Sequence, residues 1–258
     1  MPILLAILFF ITAAFYAAVG FGGGSTYNAL LVLNGTDYRI LPSIALGCNI
    51  IVVTGGVLQF WRTGDLRIAR LVPFLAASVP AAWLGGRLPV SETIFVGLLG
   101  GALLLSGLYL VFHSTPDEAP DSDESKVSAI ISLGVGGSIG LVSGLVGIGG
   151  GIFLAPVLYM LKWGPPRQIA AACSLFILAN SFSGLAGQIM KLQDTEILSL
   201  AIPYWPLLAA VLVGGHIGSW LAARGLQAIW IKRLTAILIL YVAVRLLLRW
   251  TSLAGLVG

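Results

Sequence analysis

The chain has 258 residues, of which 58% are hydrophobic and 9% charged, with a mean hydropathy of +1.01. Soluble domains carry roughly 25% charged residues, so the composition excludes a water-soluble globular protein and points to an all-α polytopic membrane protein in a lipid bilayer. The net charge of +4 comes from 14 basic and 10 acidic residues, and the basic ones are dispersed among short connections rather than gathered into a nucleic-acid-binding patch.

Uncharged runs cover 1–34, 40–61, 71–86, 93–112, 127–161, 168–190, 197–223 and 234–244. Most approach the roughly 20 residues that a spanning helix requires, which predicts eight spans. Arg245 and Arg249 extend the last one, because long basic side chains reach back to the headgroups. The first run lacks the basic start and small-residue cleavage site of a secretory signal, so it is expected to remain as the first span. It carries GFGGG at 20–24, with Gly22, Gly23 and Gly24 followed by Ser25. The second run holds Asn49, Thr54 and Gln59, and the third closes on WLGGR, ending in Arg87.

The stretch HSTPDEAPDSDESK, residues 113–126, holds five of the ten acids and reads as a polar linker between a first half, 1–112, and a second, 127–258. The second half opens with a run of 35 uncharged residues and carries GIGGG at 147–151, with Gly149, Gly150 and Gly151. Ser174, Asn180, Ser181, Ser183 and Gln188 follow in the next run, then His216 and WLAAR, which ends in Arg224.

The two halves match. GFGGG over GIGGG gives an offset of 127, Arg39 over Arg167 gives 128, Gln59 over Gln188 and Asp65 over Asp194 give 129, and WLGGR over WLAAR gives 137. Because the offset only rises, the pattern predicts one duplicated unit of about four spans with insertions in the later copy. Orientation depends on whether the segments after the glycines cross the bilayer. If they turn back, the halves are parallel and the 14 Lys and Arg split evenly. If they cross, the halves are inverted, and one side carries nine basic residues against five: Arg62, Arg67, Arg70, Lys126, Lys162, Arg167, Arg224, Lys232 and Arg233. The positive-inside rule favours the inverted arrangement.

A continuous helix over 127–161 would be about 52 Å long at 1.5 Å per residue, against a hydrocarbon core of about 30 Å. It must break, and the three adjacent glycines are where breaking costs least. Irregular backbone at membrane depth survives only inside protein or beside a watered cavity. A helix restarting after the glycines turns bare N–H groups and its positive dipole end toward the break, which attracts anions. Paired halves with discontinuous helices and a midplane site are the recurrent plan of secondary transporters. The competing explanation is close helix packing by small residues.

The segments GLVGIGGGIFLAPVL and RQIAAACSLFILANSFSG resemble the sulfite exporter TauE/SafE family of membrane permeases, over nearly the whole chain. The resemblance implies two repeated four-span units and movement of sulfur-containing anions such as sulfite, thiosulfate and small organosulfonates, sulfoacetate among them. It also implies that Ser174 and Asn180 stand beside the second glycine run. The first half departs from the pattern, with Ser25, Thr26 and Asn28 where the second has Ile152, Phe153 and Ala155.

Every acid outside the linker, namely Asp37, Asp65, Glu92, Asp194 and Glu196, falls at a span end. A cation carrier needs a carboxylate at the membrane centre, so the pattern favours an anionic or neutral substrate. Asn49, Gln59, Ser174, Asn180 and Gln188 are either interhelical hydrogen-bond groups or donors to substrate oxygens. Arg87 and Arg224 each follow a tryptophan by four residues, as interfacial anchors or as anion-attracting groups at the two mouths. His216 is either structural or a proton-coupling group. Cys48 and Cys173 form no metal or CxxC pattern, so no metal or cofactor is expected. The sequence therefore predicts a secondary permease for a small anion in a bacterial inner membrane. Its alternatives are a non-transporting partner subunit and an intramembrane hydrolase built from Ser25 or Ser143 with His216.

Overall fold

The computed structural model describes residues 3–18, 22–112, 127–192, 197, 199–222 and 228–255. The acidic linker, Arg224, Asp194, Glu196 and the first two residues of GFGGG lie outside them. The described residues form ten α-helices and one 3-10 turn, Ile202–Tyr204. The first half contains α1 (Ile3–Ala18), α2 (Gly24–Leu33), α3 (Leu41–Arg62), α4 (Ile68–Arg87) and α5 (Glu92–Phe112). The second contains α6 (Ala129–Val146), α7 (Gly151–Met160), α8 (Pro166–Lys191), α9 (Trp205–Ala222) and α10 (Ala228–Leu253).

Both overlong runs break where the glycines stand. The first becomes α1 and α2 and the second α6 and α7; each remaining run gives one α-helix, that of 197–223 preceded by the 3-10 turn. Among the described residues, α3, α4, α5, α6 and α8 are long and apolar enough to cross a membrane. Helix α1, α7 and the stretch 202–218 are shorter apolar helices, so five of the eight expected spans are full-length by this measure. Pro42 in the first turn of α3 and Pro166 in that of α8 sit where a missing N–H costs nothing.

Glycines bring helix backbones into contact. A Cβ at Gly136, Gly140 or Gly144 of α6 would strike the carbonyls of Phe74, Ser78 and Ala82 on α4 in turn. The numbers ascend together, so α4 and α6 run in the same direction. By the same reading α9 runs with α1, since Gly214 meets Phe10 and Gly218 meets Ala14. Helices α5 and α10 run oppositely: Gly97 lies on Trp250, Gly100 on Leu246 and Leu247, and Gly107 on Leu240. This is the small-residue packing that membrane helices use in place of a hydrophobic drive. The closest pairs join helices from different halves, so the halves interlock instead of forming separate lobes.

Helix α2 packs against α1, with the Phe9 and Tyr27 rings stacked at 4.8 Å and the Tyr16 hydroxyl 2.9 Å from that of Thr26. Polar contacts tie the bundle ends. Arg167 Nε meets Asp65 at 2.9 Å, Arg249 pairs with Glu92, and the Arg70 guanidinium lies 4.7 Å above the Trp163 ring.

Candidate substrate site at the crossed helix breaks

Helix α6 ends because Gly147 adopts a left-handed conformation, φ +81°, and its N–H caps the Ser143 carbonyl at 2.8 Å. Gly149 and Gly150 are also left-handed, at φ +88° and +82°, a region other residues enter only under strain. Helix α7 then restarts, with the amides of Phe153 and Leu154 both donating to the Gly150 carbonyl. The amides of Gly151 and Ile152, which precede them, have no intrahelical acceptor. The first break is built differently. Gly23 caps α2 at φ −91°, and the Tyr27 ring covers it, 2.7 Å from where a Cβ would stand.

The two breaks meet. A Cβ on Gly24 would lie 2.5 Å from the Ile148 carbonyl oxygen and 2.5 Å from Asn49 Nδ2. Asn49 Nδ2 donates to that same carbonyl at 3.1 Å, and Asn49 also abuts Gly22 and Gly149. Ile177 closes the other side, against Gly22, Gly149 and Gly151. Gly22 is half-buried, and Gly23, Gly24 and residues 147–151 are buried, with Asn49, Ile177 and Tyr27 packed closely on the glycines.

The carbonyl end of α6 would lack donors in an isolated helix. Here three side-chain amides supply them. Gln188 Nε2 donates to Gly144 at 2.9 Å and to Leu145 at 3.4 Å, Asn28 Nδ2 to Val146 at 3.1 Å and to Gly147 at 3.3 Å, and Asn49 Nδ2 to Ile148. The donors of Asn49 and Gln188 are thus engaged with the second break, and their oxygens, with that of Asn28, find no protein partner.

Other polar groups stay unpartnered nearby. Ser181 Oγ lies against Gly149 and the Ser143 side chain against Gly150; both hydroxyls lack partners. Asn180, fully buried one residue before Ser181, has neither amide atom paired. Buried polar groups are almost always satisfied, so this concentration marks the crossing chemically. Ser25, in the first turn of α2, is buried as well.

The other predicted residues are bonded within their own helix or exposed. Ser174 turns its hydroxyl onto the Ala170 carbonyl of its own helix at 2.9 Å. Gln59 is exposed near the end of α3. Arg87 is exposed at the end of α4, 5.1 Å from the Trp83 ring, which realises the spacing read from the sequence. His216 is exposed on α9, with Nδ1 3.1 Å from the Leu212 carbonyl. Tyr27, Asn28 and Ile177 were not expected as site residues. An asparagine inside the short segment that follows the first glycines was the available signal for Asn28.

A separate cavity of about 460 Å³ opens at the bundle end formed by the α2–α3 loop, the start of α5 and the end of α10. Asp37, Arg39, Glu92 and Arg249 line it. Arg39 binds Asp37 at 2.6 Å, and that guanidinium holds the Asp37 carboxyl below its ordinary range.

Residues 5–246 match the sulfite exporter TauE/SafE family. The chain belongs to that family. It is 34% identical over 244 residues to y4hK of Sinorhizobium fredii, a probable membrane transporter protein, covering 94% of this chain and 97% of that one. It is 28% identical over 192 residues to the probable membrane transporter protein MJ0441 of Methanocaldococcus jannaschii, covering 70% of each. It is also 27% identical over 241 residues to the probable membrane transporter protein YjnA of Bacillus subtilis, covering 84% of this chain and 90% of the relative. No solved structure matches. This TauE/SafE protein is therefore an integral membrane transporter and not a hydrolase.

Proposed function

We propose that the protein is a secondary permease for a small sulfur-bearing anion, an oxyanion or organosulfonate, held where the two glycine breaks cross. The observation that carries this reading is the meeting of both breaks at Asn49, with the unpartnered hydroxyls of Ser181 and Ser143 on the second break and the buried, unpaired Asn180 one residue before Ser181. Hydroxyl and amide hydrogens there, with the first-turn amides of α7, suit an anion in a dry site. Gly22, Gly23, Gly24, Ser25, Gly149, Gly150 and Gly151 form the walls. Arg87 and Arg224 serve as attracting charges at the mouths.

The halves act as inverted repeats that rock against one another and expose the crossing to each side in turn. Helix directions support this: α5 opposes α10, and α3 opposes α8, where Leu46 lies by Gly184 and Asn49 reaches toward Ile177. The end carrying Arg62, Arg67, Arg70, Lys162 and Arg167 is then cytoplasmic by the positive-inside rule. The bilayer is the bacterial inner membrane. The test is uptake of labelled sulfite, thiosulfate and sulfoacetate into liposomes containing the purified protein: gradient-driven, saturable uptake supports the reading, and its absence for every anion overturns it.

A further inference from the structure

We infer that the anion accepted at the crossing carries its own hydrogen-bond donor, an O–H or N–H, and is a monoanion rather than a fully deprotonated oxyanion. This rests on the reading of the crossing as the substrate site. The argument comes from three acceptors whose direction is fixed. The amide nitrogens of Gln188, Asn28 and Asn49 are bound to carbonyls of residues 144–148. Flipping any of these amides would set oxygen against oxygen, so the bonds assign Gln188 Oε1, Asn28 Oδ1 and Asn49 Oδ1 as acceptors. All three are buried and without partners, and Asn49 Oδ1 lies against Gly22, 2.8 Å from the position of a Cβ. The same region receives the carbonyl end of α6, which carries partial negative charge.

The crossing therefore has two chemical faces. Ser143, Ser181, the Asn180 amide nitrogen and the start of α7 offer hydrogens; three side-chain oxygens and the end of α6 offer lone pairs. A dianion satisfies the first face and is repelled by the second. A metal cation satisfies only the second, and its charge would stand uncompensated, because the described acids Asp37 and Asp65 lie in interhelical loops and Glu92 at the start of α5. A monoanion with a proton to give satisfies both. The class is an acid oxyanion of the hydrogensulfite type, or a sulfonate bearing a hydroxyl or ammonium group.

The test is equilibrium binding to the full-length protein in detergent and sodium-free buffer, by calorimetry, with ethanesulfonate and hydroxyethanesulfonate as a pair differing by one hydroxyl. The hydroxylated anion should bind at least about tenfold more tightly, because a buried acceptor left unpaired costs more than about 1.4 kcal/mol. Equal affinity for the two would overturn the inference and leave the site standing. Binding that requires added sodium would also overturn it, by assigning the oxygens to a cation. No binding by either sulfonate, or binding undiminished in Asn180→Leu, would overturn the site itself and the inference with it.

Discussion

Asn49 on α3 donates through Nδ2 to the Ile148 carbonyl at 3.1 Å, so a side chain of the first half holds the backbone break of the second. The same amide stands against Gly22 and Gly24 of the first break. One residue thus couples both interruptions, and any movement that separates them must break or carry this bond.

Asn49→Leu removes the donor and leaves the Ile148 carbonyl buried and unpaired. The expected cost is about 1–3 kcal/mol of stability, seen as a lower thermal midpoint in detergent, together with lost transport. Unchanged stability would show that the bond does not hold the break.

Gly149→Ala forces a Cβ into a left-handed backbone at φ +88° and to within 2.8 Å of Asn49 Nδ2. Gly35→Ala, at φ +72° with open space around it, is the control. Both should lose about 1–2 kcal/mol from backbone strain, and only Gly149→Ala should also abolish uptake. Equal transport by the two variants would remove the second break from the mechanism.

His216→Gln should leave the transport rate and its pH profile unaltered, because the ring is exposed and turned onto its own helix. A flattened pH profile measured in liposomes would restore His216 as a proton-coupling group.

Arg39 holds the Asp37 carboxyl below its ordinary range. A depressed carboxylate pKa stabilises the fold above the unfolded value of about 3.9, and the contribution disappears as pH falls through the lower folded value. Asp37→Asn should therefore lower stability slightly near neutrality and flatten the acid side of the profile, the variant and the parent converging at low pH. Equal stability of variant and parent at neutral pH, with an unchanged acid slope, would show that the pair does not contribute to the fold.

The breaks were legible in the sequence because a run of 35 uncharged residues cannot fit a bilayer as one helix. The contact of Arg87 with Trp83 was legible because residues four apart share a helix face. Gln59 is exposed for the same geometric reason. Ten residues beyond Asn49, it is rotated by about 280° around α3 at 100° per residue, and so faces outward. The capping roles of Asn49 and Gln188 could not be read. Whether an amide serves a substrate or a carbonyl depends on where the end of α6 comes to rest, and that is set by packing between distant segments.

The most direct test of the crossing as substrate site is sulfite uptake by Asn180→Leu, measured beside its thermal unfolding. Asn180 is fully buried with neither amide atom paired, so an apolar side chain of similar size should keep or raise the melting temperature. The account predicts uptake reduced at least about tenfold in a protein at least as stable as the parent. Uptake at the parental rate by that stable variant would contradict it.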